Sequence, residues 1–124
     1  MSDYKALIVE DEDHNYLFLK VVLKQYCSKI DRAVTGKEAI EKALTFDYDF
    51  ILMDLKMPEM DGAQAIEMLR KKDVKTPIIV QTAFVSVEMK AKVMAMGIDD
   101  YVIKPIRKDN LLAVVNRVIS KYQL

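Results

Sequence analysis

Glu10, Asp11, Asp54, Thr82 and Lys104 are the residues whose types could do chemistry together, because each follows a short apolar run. Ile8-Val9 leads into Glu10-Asp11-Glu12-Asp13 and Phe50-Ile51-Leu52-Met53 into Asp54. Ile78-Ile79-Val80 leads through Gln81 to Thr82, and Tyr101-Val102-Ile103 into Lys104-Pro105. If these runs are strands of one sheet, three carboxylates, a hydroxyl and an ammonium meet at its edge. Crowded carboxylates raise one another's pKa unless a cation shares the site. Mg²⁺ takes oxygen ligands and keeps several of its waters, so it suits a solvent-open site with two or three carboxylates. A carboxylate held between such an ion and an ammonium is a nucleophile toward phosphorus. The chemistry expected of Asp54 is therefore phosphoryl acceptance.

For those residues to meet, every strand must return to the same edge. Short β-rich runs do alternate with stretches of helical period, in the order β-α repeated five times. The strand candidates are Ala6–Val9, a weaker one over Lys29–Val34, then Phe50–Met53, Pro77–Val80 and Tyr101–Ile103. Three are almost continuously apolar, as strands covered on both faces should be. Helical stretches of about 10 to 15 residues between them are long enough to cross over between parallel strands. Thr35-Gly36-Lys37-Glu38 has the S/T-x-x-E form of a capping box, Ser86 reads as an N-cap and Gly97 as a helix stop. Leu111, Leu112, Val115, Val118 and Ile119 share one helical face that would dock on a sheet. The expected fold is α/β, a doubly wound parallel sheet with right-handed crossovers, whose ligands bind beyond the carboxyl ends of the strands.

Composition narrows the function classes. The 124 residues fit one domain, so residues 1–124 are expected to share one core. Lys plus Arg and Asp plus Glu both count 19, so no global field draws nucleic acid or an anionic membrane. The one cysteine, Cys27, forms no internal disulfide and no multi-cysteine metal site, and His14 is the one histidine. Cys27 reads as a small buried residue and His14 as solvent-facing on the first helix. No apolar stretch approaches membrane-spanning length and the N-terminus lacks a signal-peptide pattern, so the expected location is the cytoplasm, without membrane insertion.

Ile8-Val9-Glu10-Asp11-Glu12, Leu52-Met53-Asp54-Leu55-Lys56-Met57-Pro58, Asp61-Gly62, Gln81-Thr82-Ala83 and Asp99-Asp100-Tyr101-Val102-Ile103-Lys104-Pro105 together resemble the response-regulator receiver family of two-component signalling. Each motif is weak alone, but five in this order across nearly the whole chain make a specific signal. The resemblance implies a (βα)5 domain of flavodoxin-like strand order 2-1-3-4-5, with Asp54 as phosphoacceptor. It implies a Mg²⁺ site of Glu10, Asp11, Asp54 and the backbone carbonyl of Lys56, with Thr82 and Lys104 contacting the phosphoryl group. Tyr101 matches an aromatic switch position, and Pro105 a proline whose bond to Lys104 is cis. The implied partners are a histidine kinase or histidine phosphotransfer domain. The face made by the fourth helix, fifth strand and fifth helix would carry the signal, and a homodimer through it is also implied. Lys90, Lys92, Arg107 and Lys108 make that face locally basic. The segments around Glu10 and Thr82 look more like receivers of hybrid sensor kinases than like those heading DNA-binding regulators, and direct nucleic-acid binding is not expected. The length fits a free-standing receiver or a module of a longer protein. Bulky Phe84, two beyond Thr82, and long Lys56, two beyond Asp54, are expected to slow loss of phosphate by shaping water access.

Other classes fit less well. Metal-dependent hydrolases built on such a crevice usually carry a second carboxylate two residues beyond the first, where this chain has Lys56. Three glycines, none in a G-x-G-x-x-G or G-x-x-x-x-G-K arrangement, leave a nucleotide-binding loop without support. A receiver-like interaction module that is never phosphorylated would have no chemical need for all of Glu10, Asp11, Asp54, Thr82 and Lys104. Glu12 and Asp13 read as a solvated loop and helix start.

Overall fold

The computed structural model describes residues 3–57, 60–83 and 86–122. Along the chain run β1 (Tyr4–Val9), α1 (Asp13–Leu23), β2 (Cys27–Ala33), α2 (Gly36–Thr45) and β3 (Phe50–Asp54). They are followed by α3 (Gly62–Lys71), β4 (Ile78–Thr82), α4 (Val87–Met94), β5 (Asp100–Ile103) and α5 (Lys108–Tyr122). The strands pair in parallel in the order β2-β1-β3-β4-β5, the order that the resemblance implies.

Period-two alternation divides the apolar side chains between the two faces of this sheet. Leu7, Val9, Ile51, Met53, Ile78 and Val80 pack against α2, α3 and α4. Ala6, Ile8, Phe50, Leu52 and Ile79 pack against α1 and α5. Every residue of β3 and β4 is buried, which is why those runs are so continuously apolar. The weaker second run belongs to an edge strand with β1 as its one neighbour, and most of β2 stays half-buried or exposed. Burying each large aliphatic side chain stabilises the fold by about 1.5–3 kcal/mol. A one-residue slip of β3 or β4 would exchange the two apolar sets, so the register that places the strand ends is strongly held.

Helix starts follow the capping logic with one difference. Thr35 Oγ1 accepts from the Glu38 N–H at 3.1 Å, but the Glu38 carboxylate accepts from Val34, at 2.7 Å, rather than from Thr35. The reciprocal box is formed at α3 instead, where Asp61 and Gln64 cap each other's N–H groups. Ser86 caps α4, and Gly97, at φ 81°, closes the turn that follows it.

Gly62 sets how closely α3 approaches β3. A Cβ there would lie 2.2 Å from the Asp54 carbonyl oxygen and 2.8 Å from the Leu55 Cα, both main chain. The Gly62 N–H uses that closeness to donate to the Leu55 carbonyl at 3.1 Å. Gly62→Ala is therefore expected to destabilise the fold by roughly 2 to 3 kcal/mol. Urea unfolding checks this, and an unchanged midpoint would mean that α3 can shift aside at no cost.

Candidate functional site

Two central strands and their neighbours deliver the site. β1 ends at Val9, and its last ladder bond runs from the Glu10 N–H to the Ala33 carbonyl at 2.9 Å. Glu10 is buried, whereas Asp11 is exposed on the loop that follows. Asp54 ends β3 at 3% exposure. Carboxylate oxygens of Glu10, Asp11 and Asp54 all lie within 4.8 Å of one another. Asp54 Oδ1 accepts from Lys104 Nζ at 2.8 Å and from the Lys56 N–H at 3.1 Å. Both of these bonds fall on one carboxylate oxygen, and among the described residues none falls on Oδ2.

Thr82 is buried at the end of β4, one residue past Gln81, the register partner of Asp54. The Lys104 N–H donates to the Thr82 carbonyl at 2.8 Å, so the chain leaving β5 is tied to the end of β4. The Lys104–Pro105 peptide bond is cis. Lys56 enters through its backbone, and its side chain is exposed. Tyr101 lies apart from the carboxylates, half-buried against the α2–α3–α4 core, with Lys90 Nζ of α4 5.7 Å from its ring centroid. Phe84 and Pro58 lie outside the described residues. Two openings flank the site. A cavity of about 430 Å³ is lined by Asp11, Leu55, Lys56, Met57 and Asp61. A second, of about 510 Å³, opens on the α1 side beside Lys104, Pro105 and Gln81.

The electrostatics favour a cation. Burial pushes the Glu10 carboxyl up to about 7; the Glu12 N–H, at 3.1 Å from Oε2, opposes this, and the Asp54 carboxylate adds to it. The other carboxylate oxygen, Oε1, is buried and has no hydrogen-bond partner among the described residues. An orphaned anionic oxygen beside two further carboxylates, with one ammonium in direct contact, is a donor set that fits a hard divalent ion. Glu10, Asp11 and Asp54 are the residues that could hold it.

His14 is exposed on α1, and Glu12 stands at its N-cap position without a side-chain cap bond. Cys27 is half-buried, and its burial raises the thiol to about 11, which leaves it protonated near neutral pH. Sequence reasoning does not single out Arg32, which bonds the carbonyls of both Glu10 and Asp11. The available signal is its parity with Ile30, which places an arginine where an inward-facing apolar residue belongs. Nor does it foresee how tightly Gly62 seats against the Asp54 peptide, because that contact depends on chain packing.

A five-stranded parallel sheet of this order, with an acidic cluster and a paired lysine at its carboxyl edge, defines a flavodoxin-like α/β domain with a candidate cation site. The response regulator receiver domain model matches residues 6–116, and the chain belongs to that family, the receivers of two-component systems. It is 32% identical over 117 residues to the cell cycle response regulator CtrA of Brucella ovis, covering 94% of this chain and 50% of that protein. The chain thus spans about half the length of the curated relatives it matches. Among solved structures, the receiver domain of Francisella response regulator 1452 superposes with a TM-score of 0.89 at 32% identity, covering 97% of this chain and 99% of that one. The receiver domain of the Pseudomonas aeruginosa sensor histidine kinase PA1611, solved with a magnesium ion coordinated in its active-site cleft, gives 0.84 at 28% identity, covering 95% and 98%. Among the described residues no helix is long and apolar enough to cross a membrane.

Glu10 predicts a pH effect. Its ordinary value of 4.5 applies to the unfolded chain and about 7 to the folded one. Between those values the folded protein holds the extra proton, so this group's contribution to stability falls as pH rises from about 4.5 to about 7. The change is on the order of 3 kcal/mol at most. Urea unfolding in EDTA across that range is expected to show a shallower decline for Glu10→Gln than for the wild type. Equal slopes would mean that burial does not hold the proton on Glu10.

Proposed function

We propose that the chain accepts a phosphoryl group from a phosphohistidine donor onto Asp54, with Mg²⁺, and passes the change to a partner through the α4–β5–α5 face. The observation that carries this reading is the buried Asp54 carboxylate, held at 2.8 Å by Lys104 and grouped with the oxygens of Glu10 and Asp11. An Asp54 oxygen attacks phosphorus in line. The new P–O bond forms as the P–N bond to the donor imidazole breaks, and the imidazole nitrogen keeps the electron pair and takes up a proton. A bound Mg²⁺, held by Glu10, Asp11, Asp54 and the Lys56 carbonyl, would offset charge on the transferring oxygens. Lys104 does the same from the other side and afterwards pairs with the phosphoryl group in place of the carboxylate. Water later displaces the carboxylate and releases inorganic phosphate.

The Thr82 hydroxyl and the Lys104 ammonium are the contacts that would distinguish the phosphorylated state, as a shifted equilibrium requires. Tyr101, whose ring lies 5.7 Å from Lys90 Nζ of α4, would turn inward as Thr82 moves. The output face offers exposed Val87, Met94 and Ile103 among exposed Lys90 and Lys92. Arg107 is 3.6 Å from Asp109, so part of the positive charge there is already paired. A histidine kinase or histidine phosphotransfer domain is the expected donor, and a second copy of the chain is a candidate for the output face. The cytoplasm is the expected setting.

Intact-mass spectrometry after incubation with acetyl phosphate tests the reading. A single adduct is expected that requires Mg²⁺ and disappears in Asp54→Asn. Lys104→Ala should still take up the group, more slowly by on the order of ten-fold or more. No adduct on the wild type, or equal uptake by Asp54→Asn, would leave a receiver-shaped interaction module in its place.

A further inference from the structure

The hydrogen-bonded ladder between β1 and β2 ends with the bond from Glu10 to Ala33. β2 ends at Ala33 and offers the carbonyls of Glu10 and Asp11 no further ladder donors, and backbone acceptors near a buried site need donors. Arg32 provides them. Its Nε donates to the Glu10 carbonyl at 3.1 Å and its Nη2 to the Asp11 carbonyl at 3.3 Å. Its Nη1 lies 2.9 Å from Asp13 Oδ1. The Tyr16 ring of α1 covers the cation, with Cζ 4.5 Å from the ring centroid.

The position of this arginine is informative. Arg32 opposes Ile8 in the sheet register, and Ile30, two residues earlier on the same face, packs on the α1–α5 core. The guanidinium therefore lies between the sheet and α1, its side chain only 25% exposed. A charge there is costly unless its donors are used, and an apolar side chain would fill the space more cheaply. The donors go to two consecutive carbonyls of a single loop and to the carboxylate of Asp13, the first residue of α1. That loop carries two of the three candidate cation ligands.

We infer that Arg32 is a positioning residue for the cation site, fixing the backbone of Glu10 and Asp11 so that their carboxylates converge on Asp54. The inference rests on the reading that these three residues bind Mg²⁺. Two effects of Arg32 on an incoming cation have opposite signs. As a positive charge it repels Mg²⁺, so its removal would tighten binding. As a planar fork it arranges the ligands in advance, so its removal would weaken binding. Groups that orient metal ligands typically alter affinity by about 10- to 100-fold. The Coulomb effect is smaller, because the guanidinium is partly exposed and water and salt screen its charge. Positioning therefore decides the sign.

Calorimetric Mg²⁺ titration of the wild type, Arg32→Ala, Arg32→Lys and Asp13→Asn, at low and at moderate salt, tests this. Thermal unfolding of each in EDTA is recorded alongside. Arg32→Ala is expected to bind Mg²⁺ about ten-fold more weakly at both salt concentrations. Arg32→Lys keeps the charge but loses the fork, and is expected to remain several-fold weaker than the wild type. Asp13→Asn keeps both carbonyl bonds and should stay within about two-fold of the wild type. Should Arg32→Ala fail to fold, Arg32→Lys decides alone. Arginine variants that melt lower yet bind Mg²⁺ as tightly as the wild type, or more tightly, would overturn the inference and leave Arg32 a purely structural residue. A wild type that binds no Mg²⁺ would instead overturn the metal reading and this inference with it.

Discussion

The structure depends on a repulsion. Carboxylate oxygens of Glu10, Asp11 and Asp54 lie within 4.8 Å of one another at one sheet edge. At the effective dielectric usual for such sites, each ionised pair at that separation repels by roughly 3 to 4 kcal/mol. Three such pairs outweigh the attraction of one contacting ammonium, which at the 2.8 Å of the Lys104–Asp54 pair is about 6 kcal/mol on the same scale. Two remedies exist. A proton on Glu10 removes two of the three repulsive pairs, and its carboxyl is pushed up to about 7 by burial first, with the Asp54 and Asp11 carboxylates adding to the shift. A divalent cation removes all three.

A charge cluster of this kind needs a rigid scaffold, because the carboxylates would move apart if the strands could slide. β3 and β4 are buried along their whole length, and their alternating residues lock into two separate apolar layers. The resulting register sets Asp54 level with Gln81. On the outgoing side the chain has little freedom either, since Gly62 seats against the Asp54 carbonyl and Asp61 caps α3 one residue before it. Folding energy from apolar burial thus holds together groups that electrostatics would separate.

Much of this was legible in the sequence, for a physical reason. Buried parallel strands must be apolar, so the polar residues that follow each run mark the sheet's carboxyl edge, and Glu10, Asp54, Thr82 just past Gln81, and Lys104 stand there. β2 was harder to read because an edge strand is buried on fewer sides, and its Lys29, Asp31 and Arg32 look like a solvated segment. Arg32 illustrates the limit, since its importance comes from carbonyls in a distant loop and a ring on α1, which alternation alone does not show. The helix start at Gly36 was legible from Thr35 and Glu38, but the acceptor's reach to Val34 depends on the turn between β2 and α2. Tyr101 and Thr82 owe their assigned roles to family resemblance, since a tyrosine and a threonine in strands serve equally well as packing.

The same geometry limits which part of the molecule can respond to a change at Asp54. Lys104 joins the ends of β3 and β5 across β4, by its side chain to Asp54 and by its backbone to Thr82. Any group that draws the ammonium away from Asp54 therefore acts first on the end of β5 and the helices beside it. Of those, α5 buries Leu111, Val114, Val115 and Val118 against the sheet, whereas α4 spans eight residues and buries Val93 alone among its described residues. An element with so few buried contacts is the one that can shift for a few kcal/mol. A bias of about 1.4 kcal/mol already changes a two-state ratio ten-fold, so on the proposed reading one redirected ion pair would be enough to shift α4.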